Sequence, residues 1–404
     1  MDVRRFEDSP IGRVVGLTFE GRRGPIEHAA FIPESLPDEF QLSMETWQAV
    51  SQADRALGRL DGLASQLPNP KLLVRPIIRR EAVSTSALEG TYAALSEVLE
   101  AEILESARSR SDVREVINYL MAAERALESL GRKPIHVNLL LDLHQMLFHG
   151  VRGDTPETGR LRTIPVMIGP PGATPQESFF VPPPPEEVQD LLADWEAWNY
   201  REDTIPVVVR VAASHYQFET IHPFRDGNGR LGRMVAALLL IDLGTLSDHL
   251  FSISPFLERR RGEYGERLRE LSATGDWDQW ISFFAEAITV QSDEARHRAQ
   301  RLLRWRDEAV SIVRNTGRKG LVISITESLI GYPGITPTTA ADQFDVTYRA
   351  ANRAIGVLED LGILAEVTGG DYNRFFLCRD VVEILENGAD DELDDEGHAV
   401  TQSA

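Results

Sequence analysis

The chain has 404 residues, 42% of them hydrophobic, one cysteine (Cys378) and a formal net charge of −21. That length exceeds one ordinary core, and the apolar content is enough to pack two or three domains. A single cysteine excludes a disulfide framework and a thiolate metal site, an acidic balance argues against non-specific nucleic-acid binding, and the longest apolar run, residues 234–241, is far short of the ~20 residues of a membrane span.

Residues 1–10 carry Asp2, Arg4, Arg5, Glu7 and Asp8 and no apolar stretch, so no signal peptide and a cytoplasmic location are expected. Residues 1–40 are punctuated by Pro and Gly and read as an extended arm. From Leu42 to about residue 105 apolar residues recur at helical spacing, as in Trp47, Val50, Ala53, Leu57 and Leu60. Residues 112–130 and 137–148 read as two further amphipathic helices. Between Gly159 and Val181 the pattern becomes strand-like twice, at 163–169 and 178–181, around Pro170, Pro171 and Gly172, which predicts a β-hairpin flap.

Helices resume near Glu186 and again at 204–221. Residues 228–243 are apolar nearly all round, the mark of a buried central helix, and Gly244 stands where such a helix stops. Near the end, Thr336 to Phe344 reads as a short helix with a threonine cap, residues 345–347 as a turn, 348–361 as a second helix, and 363–377 as two strands around Gly369 and Gly370. That order is a winged helix-turn-helix pattern. Residues 383–396 hold eight acids and no base, and from Asn387 the chain reads as a solvated acidic tail. The predicted architecture is mainly α, divided into an N-terminal arm with helices (1–105), a helical core with the flap (106–313), the winged segment (314–386) and the tail (387–404).

The segment richest in chemistry is His222-Pro-Phe-Arg-Asp-Gly-Asn-Gly-Arg-Leu-Gly-Arg233. Gly227, Asn228 and Gly229 open a helix, so backbone N–H groups and the helix dipole point at whatever lies in front and favour an anion. Two glycines remove the Cβ atoms that would hinder close approach. Arg230 and Arg233, three apart, extend the positive field over a polyphosphate. Asp226 is suited to Mg²⁺ bridging phosphate oxygens, and a neutral His222 can take a proton from an attacking hydroxyl. Singly, each of these residues is more often a turn glycine, a core histidine or a solvated arginine; together in twelve residues they suit nucleotidyl transfer.

The same stretch resembles the signature of the Fic family, His-x-Phe-x-(Asp/Glu)-Gly-Asn-Gly-Arg-x-x-Arg, at every fixed position. His215-Tyr-Gln-Phe-Glu-Thr-Ile221 resembles the family's lead-in helix, Gly159-Arg-Leu-Arg162 the approach to its flap, and residues 275–284 a stretch common downstream. The likeness covers about residues 30–295, and a winged-helix end also occurs in this family. It implies a protein adenylyltransferase that moves AMP from ATP to a Ser, Thr or Tyr hydroxyl of a protein, itself included among the targets. By resemblance His222 is the base, Asp226 holds Mg²⁺, Gly227, Asn228 and Gly229 receive the α- and β-phosphates, Arg230 and Arg233 contact the outer phosphates, and the flap docks the target as an added strand.

Thr85-Ser-Ala-Leu-Glu89-Gly90 resembles the family's inhibitory pattern (Ser/Thr)-x-x-x-Glu-(Gly/Asn), which implies that Glu89 pairs with Arg233 and keeps the γ-phosphate from seating productively. Family members commonly carry two adjacent aromatics near the adenine. Here Tyr264 is followed by Gly265, which leaves Tyr264 as the adenine-side residue in a more open pocket. The alternatives are the reverse reaction, removal of AMP with Glu89 positioning a water, and a transcriptional regulator with a vestigial core. On the second winged-segment helix, Arg349, Asn352 and Arg353 could reach DNA. Asp342, Asp345, Glu359, Asp360, Glu366 and Asp371 count against it, so a protein-docking or homodimerising module is the favoured reading.

Overall fold

The computed structural model describes residues 1–21, 24–65, 69–104, 110–131, 134–369 and 374–386. The acidic tail, Gly370 and Asp371 lie outside the described residues. Among the described residues no helix is long and apolar enough to cross a membrane.

The fold is mainly helical. Helix α1 (Met44–Ala64) starts where the Ser43 hydroxyl accepts from Thr46 N at 3.1 Å, a favoured N-cap. Its buried stripe holds Val50, Ala53, Leu57 and Leu60, as expected, but Trp47 is 37% exposed and Thr46 takes the buried place in that turn. Helices α2 (Lys71–Leu88), α3 (Leu95–Ile103), α4 (Ser111–Ser129), α5 (Val137–Phe148) and α6 (Val188–Asn199) follow. At the centre lie α7 (Val207–Ile221) and α8 (Asn228–Asp242), both buried around nearly their whole circumference. Gly244, at φ 77°, turns the chain out of α8, a backbone state that glycine reaches without a Cβ penalty.

The short α9 (Ser254–Arg259) and then α10 (Arg261–Thr274) lead to α11 (Trp277–Asn315). Asp276 caps α11, and Trp280 Nε1 donates to Ala212 O at 2.8 Å, which fastens α11 to α7. The main apolar cluster runs without a break from Val50 to Leu385.

The N-terminal 40 residues are not an arm. Strands β1 (Gly12–Gly21) and β2 (Gly24–Pro33) form an antiparallel hairpin with Gly12 opposite Pro33 and Gly21 opposite Gly24. Glycine and proline stand mostly at the strand ends, while Val15, Leu17 and Phe19 alternate with Gly16 and Thr18 at the period of a strand. The hairpin closes a second apolar cluster in which Phe6, Phe31 and Phe180 meet with ring centroids 5.7–5.8 Å apart. Strands are therefore not confined to the flap and the C-terminal segment.

The flap is less regular than expected. Its two arms meet at one bridge, Ile168 with Phe180, where Ile168 N donates to Phe180 O at 2.9 Å and Phe179 N to Ile168 O at 2.8 Å. Pro165, Pro170, Pro171 and Pro175 have no N–H to extend a ladder. Instead β2 supports the flap through Phe31 N donating to Val181 O at 3.0 Å.

The C-terminal elements are α12 (Leu321–Ser328), β3 (Gly334–Ile335), α13 (Pro337–Gln343), α14 (Tyr348–Asp360), β4 (Ala365–Glu366), β5 (Phe376–Leu377) and α15 (Arg379–Glu386); α13, α14, β4 and β5 fall where the sequence placed two helices and two strands, while α12, β3 and α15 carried no expectation. Thr336 and Thr347 cap the two helices of the turn, and the strands form a small sheet in the order β3-β5-β4. This segment packs on α2: Arg79 donates to Gly331 O at 2.7 Å and Arg80 to Leu385 O at 3.1 Å.

Candidate active site

His222 follows the last turn of α7 in a left-handed conformation, φ 51°. A non-glycine residue there is strained and persists only where the surroundings impose it. The restraint is the buried Arg162, which donates to His222 O at 2.8 Å, Ile221 O at 3.2 Å and Pro183 O at 2.6 Å. His222 Nδ1 lies 3.2 Å from Glu219 O. A carbonyl only accepts, so Nδ1 carries the proton and Nε2 keeps its lone pair. Burial, aided by the Arg162 charge, pushes the imidazole down to about 4, so it is neutral at pH 7.

Residues 223–227 form a tight loop from His222 to α8. The Asn228 side chain is buried and clasps this loop: its Oδ1 accepts from Phe224 N at 2.8 Å and its Nδ2 donates to Phe224 O at 2.9 Å. This differs from a phosphate-receiving role for that side chain, and leaves the main-chain N–H groups at the start of α8 to face an anion. Gly227, at φ 78°, has no room for a side chain, because a Cβ would lie 2.7 Å from the Phe148 ring. His144 supports the loop from below, stacked on Phe224 at 4.1 Å and donating through Nε2 to Asp226 O at 3.1 Å. The Asp226 carboxylate accepts from Gly227 N at 2.6 Å and is 68% exposed.

The two arginines part company. Arg230 stacks over Phe148 at 4.7 Å and lies 3.5 Å from Glu115 of α4, a structural tie. Arg233 donates through Nε to Thr85 Oγ1 at 2.8 Å, and through Nη2 to Thr85 O at 3.2 Å and Glu89 Oε1 at 2.6 Å. Burial would raise the Glu89 carboxyl, but the Arg233 charge and hydrogen bond hold it below its ordinary value. Glu89 follows the end of α2, and Gly90 (φ 86°) turns the chain away. A Cβ on Gly229 would lie 2.5 Å from the Glu89 carboxylate and 2.7 Å from Arg233 Nη1, so glycine is what lets this pair sit against the start of α8.

A cavity of about 550 Å³ lies between α7, α8, α10 and the flap. It is lined by His222, Gly229, Arg233, Glu89, Tyr264 and Glu219, among others. Asp226, Gly227, Asn228 and Arg230 are not in its lining. Tyr264 is buried, and its hydroxyl meets His215 Nε2 at 2.8 Å. Among the described residues no three His, Cys, Asp or Glu side chains cluster as a metal cage. One exposed carboxylate suits Mg²⁺ held jointly with substrate phosphates, since that ion usually takes one or two protein carboxylates.

Sequence reasoning missed Arg162, His144 and Glu115 as supports and Glu219 as part of the cavity. Arg162 and Glu219 stood inside quoted motifs, yet nothing in their spacing separates a buried arginine or carboxyl from a solvated one.

Residues 47–128 match the family model for the Fic/DOC family N-terminal region, and residues 134–240 match that of the Fic/DOC family. A protein adenylyltransferase of Caenorhabditis elegans is 31% identical over 169 residues, covering 40% of this chain and 31% of the relative. A protein adenylyltransferase Fic of Drosophila yakuba is 29% identical over 206 residues, 50% of this chain and 38% of the relative. The chain thus spans about a third of the length of these relatives. The crystal structure of a Fic family protein from Desulfovibrio desulfuricans superposes with TM-score 0.55 at 21% identity, over 85% of this chain and 98% of the other, which establishes the shared fold.

Proposed function

We propose that this chain, with its Fic/DOC regions over residues 47–128 and 134–240, is a protein adenylyltransferase that moves AMP from ATP to a side-chain hydroxyl of a protein and is restrained by its own Glu89. The observation that carries this reading is that a neutral His222 shares one cavity with Gly229 at the start of α8 and with Arg233.

The hydroxyl oxygen of the target attacks the α-phosphorus of ATP while its proton passes to His222 Nε2. The new O–P bond forms as the bond to the bridging oxygen of the β-phosphate breaks, and pyrophosphate leaves. Main-chain N–H groups at the start of α8 stabilise the phosphate oxygens, an electrostatic contribution pre-organised by the Asn228 and His144 supports. Asp226 would hold Mg²⁺, which neutralises phosphate charge when bound. Arg233 would bind the outer phosphates. It is engaged by Glu89, and one guanidinium fork cannot serve a carboxylate and a γ-phosphate fully at once. With Glu89 docked, ATP binds with its α-phosphate misaligned, and a small misplacement can cost ~10²-fold in rate.

Large apolar side chains on the flap, Ile164, Met167 and Phe179, are substantially exposed. They fit a surface on which an extended segment of the target lies as an added strand. The C-terminal helix-turn-helix segment is read as a winged module for protein docking or homodimerisation.

The test is incorporation of labelled AMP at saturating ATP. Glu89→Gly should incorporate AMP strongly faster than the parent, and His222→Ala in that background should lose ~10²–10⁴-fold while still binding ATP. Unchanged rates in both variants would remove the assignment of base and brake.

A further inference from the structure

Glu219 is a buried carboxyl that the proposed transfer does not use. It lies in the last turn of α7, 8% exposed, in the lining of the cavity, and its Oε1 has no hydrogen-bond partner. It fits because Gly232 has no side chain: a Cβ there would run into Glu219 Oε1. Its electrostatic neighbours are Arg233 of α8 and Glu89, which ends α2. Tyr264 of α10 senses its charge as well. On its own helix stands His215, bonded to Gly232 O and Tyr264, and just past its end His222, whose ring donates to the Glu219 carbonyl. Arg261 and Arg269 of α10 line the same cavity. Two carboxyls, Glu89 and Glu219, therefore stand about one guanidinium, and only Glu89 is hydrogen-bonded to it.

We propose that Glu219 is a positioning residue for Arg233: when ionised it holds the guanidinium in the cavity after Glu89 withdraws, and it opposes the return of Glu89. The inference rests on the reading of Glu89 as a brake. Its energetics follow from the surroundings. Burial pushes the Glu219 carboxyl up to about 7, with Arg233 pulling it down and the Glu89 charge adding to the rise. Removing Glu89 from Arg233 takes away the like charge and frees the opposite one, so the withdrawn state binds fewer protons at Glu219. By linkage, raising pH through about 7 then favours the withdrawn state. His222 and His215, pushed down to about 4 and about 3 by burial, do not titrate in that window.

The experiment measures AMP incorporation by wild type and Glu89→Gly from pH 6 to 8, at saturating ATP and excess Mg²⁺, and takes their ratio at each pH. The ratio of wild type to Glu89→Gly should rise roughly fivefold across the window and be flat in the Glu219→Gln background. A flat ratio in the parent background overturns the proposal, as does the same slope with Glu219→Gln. If Glu219→Gln does not fold, Glu219→Asp, a shorter carboxylate that reaches Arg233 less well, takes its place. A reduced slope supports the proposal and an unchanged slope overturns it. Failure of the underlying brake reading looks different, because Glu89→Gly would then match wild type at every pH.

Discussion

At the scale of single residues, the site depends on side chains held against their ordinary preferences. His222 sits at positive φ with its imidazole neutral, so in the Glu89→Gly background the rate should be level from pH 6 to 8 and fall only as pH drops toward about 4. Protonation removes the base, so the loss lies on the acid side; a pH–rate profile with an acid limb near 6.5 would show an ordinary, solvated histidine. Arg233 is paired with Glu89, and under the proposed mechanism Arg233→Ala should not reproduce the activation of Glu89→Gly, because it would remove the proposed phosphate ligand together with the proposed brake. The double variant should stay as slow as Arg233→Ala, which the same incorporation assay reads. Gly227→Ala places a Cβ 2.7 Å from Phe148 at φ 78°. It should lower stability by ~1–3 kcal/mol, measured as a lower denaturant midpoint.

At the scale of elements, α2 is the shared part. One face carries Glu81, Thr85 and Glu89 at successive turns. Glu81 accepts from Ser252 Oγ at 2.7 Å and Ser254 N at 3.1 Å, while Thr85 and Glu89 meet Arg233. The other side carries Arg75 over the Tyr332 ring at 4.7 Å, Arg79 on Gly331 O and Glu102, and Arg80 on Leu385 O. The helix that delivers Glu89 is thus clamped between the active site and the C-terminal segment. Arg79→Ala would remove the buried donor to Gly331 O and the pair with Glu102, at a cost of about 1–3 kcal/mol, and loosen that clamp. The expected outcome is a lower melting temperature together with faster AMP incorporation by an otherwise wild-type chain. A lower melting temperature with no change in rate would show that the clamp does not reach Glu89. The flap and the N-terminal hairpin form a second linked unit through Phe31, Phe180 and Val181, so its support was visible only once the two segments were brought together.

At the scale of the whole molecule, an acidic chain of net charge −21 carries the exposed Arg349, Asn352 and Arg353 on α14, the same helix as Glu359 and Asp360. Fluorescence anisotropy with random duplex DNA at about 0.15 M salt should show no binding, since few phosphates can be neutralised; saturable binding would favour a regulator. Much of the molecule was legible along the chain. The helices of the core, the stop at Gly244, the cap at Thr336 and the loop from His222 to Arg233 all rest on local causes: helical periodicity, turn chemistry and a contiguous motif. The N-terminal hairpin was hidden by the Gly and Pro at its ends, because strand pairing is stabilised by a partner across the sheet and by Phe6 and Phe180, which are not neighbours in sequence. Only the tertiary structure turned Asn228 inward as a loop clasp, set Arg230 on Glu115 and Phe148, and left Glu219 buried without a partner. Each of these depends on what surrounds the side chain after packing, since burial and the nearest charge come from other helices and not from the residue's own turn.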